Sequence, residues 1–581
     1  MRPNRFPTAW PQRTRSGELT SDGGPGVGMV FAHLEPMRRP VLVAFALAAI
    51  TVAGATACAQ RKATDAAAAA VKAALAGRPP KGVTREIWQT AARFYTARHG
   101  APAWVDGRQP NKRSAAAIAS LDRARLHALD PADYDAAALV AERAALADSK
   151  VTDEDTRRAP SLAGFDLHVT TAMLTLARDV AVGRRSPASL DSRWKARRQP
   201  PDLAAGLAGA IDGNLDAWLD VVRPVHPEYG QLQQALRNLA GVQQRGGWPR
   251  VDGRALASRR SSAAVIPLRQ RLAAAGFLDE ASGGSKSAVY DETVDAGVRA
   301  FQEHHGVKAT GTVDAATAAA MNVSVDDRLA QIGLNLERWR WMPDDLGARH
   351  LLVNIPQFLV TARESGKPVL DIRVVVGKVG NETPVFSGEM QTVVFSPYWN
   401  IPENILAGET APAVIKDRNF LARNNMEVLR VNPRGAERVS VDDIDWSDTE
   451  SLKQFSVRQR PGAQNALGHV KFLFPNPYDV YLHDTPSDSL FSRQGRALSH
   501  GCVRVEEPET LAIYVLRGYD AWPAERILTA MHSGDEQHVK LKTSIPVHIV
   551  YFTAWVDDDG GMHFQNDVYG YDARQKRQHH D

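Results

Sequence analysis

The apolar residues between about 83 and 260 recur at helical spacing. Their three- and four-residue intervals place side chains on one face of a helix. One such run consists of Leu162, Phe165, Val169, Met173, Leu176 and Val180. Glycine and proline in loops such as 183–187 separate the helices. Because no cluster of acids, bases or thiols accompanies the pattern, it predicts a mainly helical scaffold domain over residues 83–260.

A smaller helical unit is predicted over residues 261–325. The apolar face of its first helix contains Leu268, Leu272 and Phe277. Asp291 is placed to cap a second helix, and a turn at 311–314 leads into a third at Ala315–Met321. The unit resembles the small three-helix peptidoglycan-binding domain. The matching residues are Ala300, Phe301, Gln302, Gly306, Gly311, Val313, Asp314 and Thr317. A structural bundle that binds no ligand is the alternative.

After a connector predicted at 326–348, the pattern changes to short strands. Runs rich in β-branched and aromatic residues alternate with turns that contain Gly, Pro and Asn. The predicted strands are 350–355, 370–376, 393–395, 471–474 and 545–552, and helical segments are predicted at 508–516 and 523–531. This pattern favours a mainly-β domain, a sandwich or barrel, over residues 349–535, with a C-terminal extension over 536–581. The fold class predicted for the chain is multidomain α+β.

A polar stretch at about 403–465 interrupts the predicted strands. It combines helical and extended pieces, and its charged residues are of both signs. Its arginines are Arg418, Arg423, Arg430, Arg434 and Arg438. We expect an insertion that caps the sheet as a lid and keeps water away from a reactive intermediate.

The N-terminus has the pattern of an export signal. Arg38-Arg39 supplies positive charge, residues 41–53 are apolar, and Ala55-Thr56-Ala57 offers small residues for cleavage. Such a signal predicts a protein of the periplasm.

Translation is expected to begin at Met37, which would leave residues 1–36 untranslated. Residues 37–59 are then a signal peptide or a membrane anchor, and Cys58 stands where a lipoprotein accepts its lipid. The apolar run is slightly shorter than the ~20 residues that a spanning helix needs. Cleavage, lipidation and a membrane tether therefore all stay open. Residues 60–82 are rich in alanine and predict a linker.

Length, composition and charge narrow the class of protein. A chain of 581 residues is too long for one hydrophobic core, so several domains are expected. Hydrophobic residues make up 44% and charged residues 23%, as in globular proteins, and the formal net charge is +4. Because the basic residues are scattered along the chain, no nucleic acid is expected as a partner.

One cysteine is a candidate for chemistry. The chain has two cysteines, and Cys58 falls in the export segment, so Cys502 is a lone thiol. It follows Ser499-His500-Gly501, and His483 lies upstream. A thiol with a pKa near about 8.5 is mostly protonated at neutral pH, and a neighbouring imidazolium lowers that pKa and carries the proton. Either histidine is a candidate for that role. The backbone N–H groups of Gly501 and Cys502 could form an oxyanion hole.

These residues could have two other roles. A buried free cysteine is common and inert. His483, Asp484, His500 and Cys502 could bind zinc, but the paired cysteine spacing typical of structural zinc sites is absent from the sequence. We therefore expect no metal and no cofactor at this site.

The segment Ser499 to Arg504, with Tyr481-Leu482-His483 upstream, resembles the signature of the L,D-transpeptidases, the YkuD-type catalytic domain. The segments 354–356 and 396–402 match as well, and the domain order is similar to that of the large Gram-negative members. The resemblance implies the following site: catalytic Cys502, His483 and His500, supporting and oxyanion residues Ser499 and Gly501, and substrate-binding Arg504, Tyr398, Trp399 and Asn400. An ion pair with Asp484 or Glu506 is the alternative for Arg504, and an aromatic core is the alternative for residues 398–400.

The resemblance also implies a reaction on peptidoglycan stem peptides. Cys502, as a thiolate, would attack a donor tetrapeptide and release D-alanine. A second stem would then take the acyl group from the thioester, which crosslinks the cell wall. A carbapenem is expected to acylate Cys502. The acceptor stays open, since a diaminopimelate amine, a lipoprotein lysine or water would each serve, and water would make the protein an L,D-carboxypeptidase or hydrolase. A non-catalytic protein that binds peptidoglycan stems and glycan is the alternative from another class.

Overall fold

The computed structural model describes residues 61–148, 155–194, 198–252, 261–432 and 435–580. The segment predicted to be untranslated, the signal or anchor at 37–59 and its Cys58 lie outside these ranges. Within the described residues, no helix combines the length and the apolar character needed to cross a membrane.

The N-terminal region is helical, as its hydrophobic spacing predicts. Its helices are α1 (61–75), α2 (Arg85–Ala97), α3 (Lys112–Asp122), α4 (Ala136–Asp148), α5 (Asp155–Val182), α6 (Leu203–Ala210), α7 (Leu215–Val222) and α8 (Pro227–Gln244), with a short hairpin of β1 (Val105–Asp106) and β2 (Gln109–Pro110). Asn111 caps α3 and Asn214 caps α7, because each side-chain oxygen accepts a backbone N–H of the first turn. Helix α5 carries the fully buried Phe165, Val169 and Met173 into the scaffold core.

The alanine-rich segment predicted as a linker is instead largely helical. Ala67 and Val71 of α1 are fully buried, and Val71 belongs to the scaffold core. The prediction of a linker over 60–82 is therefore wrong for residues 61–75. Alanine has the highest helix propensity, and its small side chain allows close packing, so the same composition suits a docked helix.

The predicted three-helix unit contains the three expected helices, α9 (Val265–Ala274), α11 (Glu292–His304) and α12 (Ala315–Met321). A short additional helix, α10 (Glu280–Gly284), lies between α9 and α11. Asp291 caps α11 as predicted, by accepting the Val294 N–H. The side chain of Gln302 is buried and accepts the Gly311 N–H, which fixes the turn before α12. Gly311 has a φ of +70°, a conformation that favours glycine.

The segment predicted as a connector at 326–348 is mostly a buried helix, α13 (Val325–Arg340). It packs against α8 and against the C-terminal region. Arg338 is fully buried and pairs with Asp572 at 2.6 Å. The helix therefore joins the scaffold to the mainly-β region through its core and is more than a connector.

The mainly-β region is a closed barrel, in agreement with the predicted strands. Its strands are β3 (Arg349–Asn354), β4 (Leu359–Glu364), β5 (Lys367–Gly377), β6 (Phe386–Phe395), β11 (Val470–Leu473), β12 (Leu482–His483), β13 (Ala497–Ser499), β14 (Val503–Val505) and β15 (Gln537–Val550). They pair in the order β13-β5-β14-β12-β11-β6-β15-β3-β4, and β4 also pairs with β5, which closes the sheet. Helices α17 (Pro508–Val515) and α18 (Ala524–His532) follow β14.

Strand β15 corrects the predicted C-terminal boundary. It pairs with β6 on one side and with β3 on the other, so residues 537–550 belong to the barrel and not to an extension. Beyond it lie β16 (Ala554–Val556), β17 (Met562–Phe564) and α19 (Tyr571–His580). The hairpin of β16 and β17 packs against α8 and α13.

The predicted insertion forms a separate small layer with its own core. Its elements are β7 (Trp399–Asn400), α14 (Glu403–Ile405), α15 (Ala411–Lys416), α16 (Phe420–Arg423), β8 (Met426–Asn432), β9 (Gly435–Val439) and β10 (Phe455–Gln459). The strands pair in the order β7-β10-β8-β9. Apolar residues of this layer, among them Trp446 and Val457, form a cluster distinct from the barrel core. We refer to residues 399–467 as the cap.

Candidate active site

Two neighbouring barrel strands bring the predicted cysteine and histidine to one face. Strands β12 and β14 run parallel, with Leu482 opposite Val503 and His483 opposite Arg504. Leu482 and Val503 are fully buried in the barrel core. Because successive side chains of a strand alternate between faces, His483 and Arg504 point away from that core, together with Cys502. All three line one cavity of about 440 Å³.

The cavity is enclosed by three regions of the chain. The cap contributes Trp399, Pro402, Asn404, Ile405, Ala466 and Leu467. The barrel and its loops contribute Gly380, Asn381, Glu382, Pro384, Tyr478, Asp479, Val480, Tyr481 and the segment Ser499–Cys502, in addition to His483 and Arg504. The scaffold contributes Arg193, whose guanidinium donates to the Glu382 carbonyl at 3.1 Å. A cavity of this size, with apolar walls and a few polar groups, suits a peptide-sized ligand.

Hydrogen bonds fix the backbone that precedes the thiol. Ser499 Oγ donates to the Cys502 carbonyl at 2.6 Å and accepts the Gly501 N–H at 3.1 Å. Thr383 Oγ1 donates to the Gly501 carbonyl at 2.7 Å. Gly501 has a φ of +124°, which a residue with a Cβ rarely adopts, so the bend requires glycine.

The two predicted oxyanion donors differ in availability. The Gly501 N–H already donates to Ser499 Oγ. The Cys502 N–H donates to no other group within the described part of the chain. The Cys502 N–H is therefore free to donate to an oxyanion in the cavity. The Gly501 N–H could donate to it only after its hydrogen bond to Ser499 had broken.

The Cys502 thiol is half-buried at the floor of the cavity. Its sulfur lies 3.6 Å from the Asp479 carbonyl oxygen, to which the S–H can donate. Burial raises the pKa of the thiol above its usual value, although hydrogen bonds from Tyr481 and the positive charge of Arg504 oppose that shift. The thiol is therefore protonated at neutral pH.

His483 is buried, lines the same cavity and is neutral. Its Nδ1 lies 2.6 Å from the Asp484 carbonyl oxygen, which can only accept, so Nδ1 carries the proton and Nε2 is a free acceptor. Burial, together with the charges of Arg504 and Lys471, lowers the pKa of His483 to about 3. The predicted thiolate and imidazolium pair is thus a neutral pair in this structure, because desolvation disfavours both charged forms.

Arg504 has no carboxylate partner among the described residues. Glu506 pairs with Arg373, and the Asp484 carboxylate accepts backbone N–H groups of His469 and Thr485. The Nε of Arg504 is buried without a hydrogen-bond partner. The alternative of an internal ion pair is therefore not what the structure shows, and the guanidinium faces the cavity with its charge uncompensated.

The remaining predicted residues divide into those on the cavity and those outside it. His500 Nε2 lies 2.8 Å from Glu409 of the cap, on the π-helical turn between α14 and α15. Trp399 lines the cavity, whereas Tyr398 and Asn400 do not. On strand β7 Asn400 alternates with Trp399, and the Tyr398 ring lies beneath the Arg458 guanidinium. Pocket roles for Tyr398 and Asn400 are therefore not supported.

Three residues were given no role from the sequence: Tyr481 and Arg193, which line the cavity, and Glu409, which contacts His500. Tyr481 precedes His483 by two positions, so strand alternation alone places it on the same face. Burial and the charge of a neighbouring Cys502 thiolate raise the pKa of Tyr481, so its hydroxyl stays a donor. Glu409 and Arg193 carry no sequence signal, because each reaches the site from a distant segment.

Family models match three segments of the chain. Residues 348–529 match the "L,D-transpeptidase catalytic domain", residues 261–321 the "Putative peptidoglycan binding domain" and residues 89–236 the "Scaffold domain". The two resemblances derived from sequence motifs are confirmed for the first two segments.

Individual proteins that are similar to this chain also carry L,D-transpeptidase names. A Haemophilus influenzae protein named "Putative L,D-transpeptidase" is 34% identical over 244 residues, which cover 42% of this chain and 48% of that protein. The match thus spans about half the length of that relative. An L,D-transpeptidase structure from Stackebrandtia nassauensis is 12% identical with a TM-score of 0.20, covering 52% of this chain and 96% of its own. An L,D-transpeptidase from Mycobacterium smegmatis is 11% identical with a TM-score of 0.18, covering 35% and 58%.

Proposed function

We propose that this chain, which contains an L,D-transpeptidase catalytic domain and a peptidoglycan-binding domain, crosslinks peptidoglycan stem peptides through a thioester on Cys502. The observation that carries the proposal is the meeting of Cys502, His483 and an uncompensated Arg504 on one cavity beneath the cap. A nucleophile, a base with a fixed tautomer and a cation for a carboxylate are the groups that acyl transfer from a peptide requires.

In the first step, Cys502 Sγ attacks the carbonyl carbon at the L-centre of diaminopimelate in a donor tetrapeptide. His483 Nε2 takes the thiol proton as the carbon–sulfur bond forms. The oxyanion accepts a hydrogen bond from the Cys502 N–H, and one such donor is worth about 10²–10³-fold in rate. The bond to D-alanine then breaks, and His483 returns the proton to the departing amine. A thioester remains on Cys502.

In the second step, an amine of a second stem attacks the thioester. His483 takes a proton from that amine and gives it to the departing sulfur, which restores the neutral pair. The bond from Nδ1 to the Asp484 carbonyl holds the imidazole in one tautomer through both steps. Because the nearby charges of Arg504 and Lys471 destabilise the imidazolium, it releases its proton readily.

Arg504 is proposed to bind a carboxylate of the donor stem. Its guanidinium faces the cavity on the same strand as Val503 and two positions after the thiol. A charge-assisted bond to a carboxylate would compensate the positive charge and place the neighbouring amide over Cys502. Trp399 and Leu467 of the cap would cover the bound stem and limit the access of water to the thioester.

The proposed substrate also bears on where the protein works. Peptidoglycan lies outside the cytoplasm, which agrees with the export signal predicted at 37–59. We propose a periplasmic enzyme, with the peptidoglycan-binding unit keeping the barrel close to the glycan.

The thioester is tested by the mass of the intact protein after exposure to a carbapenem. The wild-type chain should gain the mass of one carbapenem, and Cys502→Ala should gain none. His538→Gln is a matched control, since His538 is an exposed histidine away from the cavity, and it should be acylated like the wild type.

Incubation with tetrapeptide muropeptides then identifies the acceptor. The wild-type chain should form a crosslinked dimer and free D-alanine, whereas a tripeptide alone would assign the acceptor to water. Crosslinking by Cys502→Ala at the wild-type rate would contradict the proposed nucleophile.

A further inference from the structure

Three potential metal ligands converge away from the cavity, where the peptidoglycan-binding unit meets the C-terminal hairpin. His304 ends α11, Asp557 follows β16, and His563 lies on β17. One ligand atom from each lies within 4.8 Å of the other two. Asp557 Oδ2 is 3.5 Å from His304 Nε2 and 2.7 Å from His563 Nε2.

Hydrogen bonds orient two of these three groups. His304 Nδ1 lies 2.8 Å from the Ala300 carbonyl oxygen, so Nδ1 carries a proton and Nε2 of the neutral ring is an acceptor. Asp557 Oδ1 accepts the backbone N–H groups of Asp559 and Gly561 at 3.1 and 2.7 Å, which leaves Oδ2 for the histidines. Ligands of bound metals are commonly oriented by second hydrogen bonds of this kind.

His304 Nε2 and Asp557 Oδ2 face each other as two acceptors at 3.5 Å, since Nδ1 of His304 is the atom bonded to the Ala300 carbonyl. His563 Nε2 lies at hydrogen-bond distance from the same Asp557 Oδ2, and the rings of His304 and His563 stack with centroids 4.1 Å apart. A divalent cation would bind both imidazole nitrogens and the carboxylate once the His563 ring turned out of this stack and its Nε2 lone pair replaced the hydrogen bond.

Gly561 supplies an independent indication. A Cβ at this position would lie 2.5 Å from His304 Nε2 and 2.8 Å from Asp557 Oδ2. Any larger residue would therefore block the approach of these two atoms. Because Gly561 has no side chain, the hairpin turn leaves room for these ligand atoms.

We infer that His304, Asp557 and His563 form a zinc site that joins the peptidoglycan-binding unit to the C-terminal hairpin. Two imidazoles and a carboxylate suit Zn²⁺, with solvent water as the fourth ligand. Bond lengths near 2.0–2.1 Å place tetrahedral ligand atoms about 3.4 Å apart. The 3.5 Å between His304 and Asp557 fits that spacing, and His563 would move away from Asp557 by about 0.7 Å. The side chains are 18–32% exposed, so an ion can enter from solvent.

Bound zinc would add a link between two parts of the chain that already pack together, as His305 and Phe564 do with ring centroids 5.6 Å apart. His304 belongs to the unit that binds peptidoglycan, whereas β16 and β17 pack on α13 and so connect to the barrel. The ion would fix the orientation of one relative to the other. This role is independent of the reaction proposed for Cys502, so either can fail without the other.

The site is tested by calorimetric titration of the full chain with zinc chloride after treatment with a chelator. A Cys502→Ser background keeps the thiol from binding the metal. About one equivalent should bind saturably, and Co²⁺ in its place should show the visible absorption of a tetrahedral site. Asp557→Asn and His563→Gln should each weaken binding by at least about 100-fold, since even outer-shell changes cost 10–100-fold.

Asp558→Asn is the matched control, because it makes the same charge change in the same turn, next to Arg363 and away from the histidines. It should bind zinc like the parent. Absence of saturable binding to the parent would overturn the site whatever the variants do. Equal affinities of Asp557→Asn and Asp558→Asn would overturn it as well. Thermal melting of the metal-free proteins tests whether each variant is folded. If Asp557→Asn or His563→Gln does not fold, His304→Gln is tested in its place.

Discussion

The bend that carries Cys502 depends on one buried hydroxyl, and its removal is a direct test of the site geometry. Thr383 is fully buried. Its Oγ1 donates to the Gly501 carbonyl at 2.7 Å and accepts the Gly377 N–H at 2.9 Å. It thereby ties the residue before Cys502 to the end of β5. Thr383→Val keeps the shape of the side chain and removes both hydrogen bonds.

The loss of folding stability can be calculated from the two backbone groups that lose their hydrogen-bond partner. Gly501 and Gly377 are both buried, so water does not replace the hydroxyl freely. A buried polar group without a partner costs about 1–3 kcal/mol, which gives about 2–4 kcal/mol for the pair if the backbone relaxes in part. In a domain of this size 1 kcal/mol corresponds to about 2–4 °C, so we expect the melting temperature of the barrel to fall by about 4–16 °C.

The same substitution should also slow the reaction of the thiol. A displacement of about 1 Å can reduce a rate about 100-fold, and the Gly501 carbonyl adjoins the nucleophile directly. Thr383→Val should therefore be acylated by a carbapenem about 10–100-fold more slowly, measured as mass gain against time at a temperature where the variant is folded. Thr383→Ser keeps the hydroxyl and should recover most of the rate, which a purely structural defect in packing would not predict.

An exposed threonine provides the control. Thr529→Val removes a hydroxyl that bonds to the Glu525 carbonyl on the surface of α18, and it should change stability by no more than about 0.5 kcal/mol. If Thr383→Val melts like the wild type and is acylated at the same rate, Thr383 does not position the thiol and the argument fails.

Two further predictions concern charge. Arg504→Gln should lower kcat/KM for a tetrapeptide donor by about 10–100-fold in steady-state kinetics, because it removes a hydrogen bond to a charged group. The kcat/KM of Arg504→Lys should lie between those of the wild type and Arg504→Gln. Burial lowers the pKa of His548 to about 4, so between pH 6.5 and 4 the unfolded chain binds one proton more than the native barrel and stability falls as the pH falls. His548→Gln should reduce that slope by about 1.4 kcal/mol per pH unit in urea unfolding, whereas His538→Gln should leave it unchanged.

Local patterns predicted most of the fold, and the errors have physical causes. The capping residue Asp291 and the strand at 393–395 follow from rules that involve only neighbouring residues. The same rules could have found β15, because Val539 and Leu541 alternate with exposed polar residues over 537–544. The linker predicted at 60–82 was wrong for residues 61–75, because an alanine-rich composition is typical of both a flexible tether and a docked helix.

The site was predicted less completely than the motif that identifies it. Motif spacing placed Cys502 and His483 in one sequence region, but their shared face depends on parallel pairing of β12 and β14, which no turn signal encodes. The contact of His500 with Glu409 joins residues far apart in the chain. The charge state of His483 could not be predicted from the sequence either, since it depends on burial and on Lys471 from another strand.

The neutral state of the pair has a consequence for the order of events. Arg504 stabilises a thiolate but destabilises an imidazolium, so it does not favour the ion pair as a whole. A substrate carboxylate on Arg504 would cancel that charge and raise the pKa of both His483 and Cys502, so the imidazole becomes a better base while the thiolate loses a stabilising charge. In the proposed mechanism the carboxylate therefore positions the donor, and the thiol proton moves to His483 only as the carbon–sulfur bond forms. Iodoacetamide, which has no carboxylate, should alkylate Cys502 slowly in the free protein, whereas a carbapenem, which has one, should acylate it fast. Rapid alkylation by iodoacetamide at neutral pH would indicate a thiolate already formed without substrate.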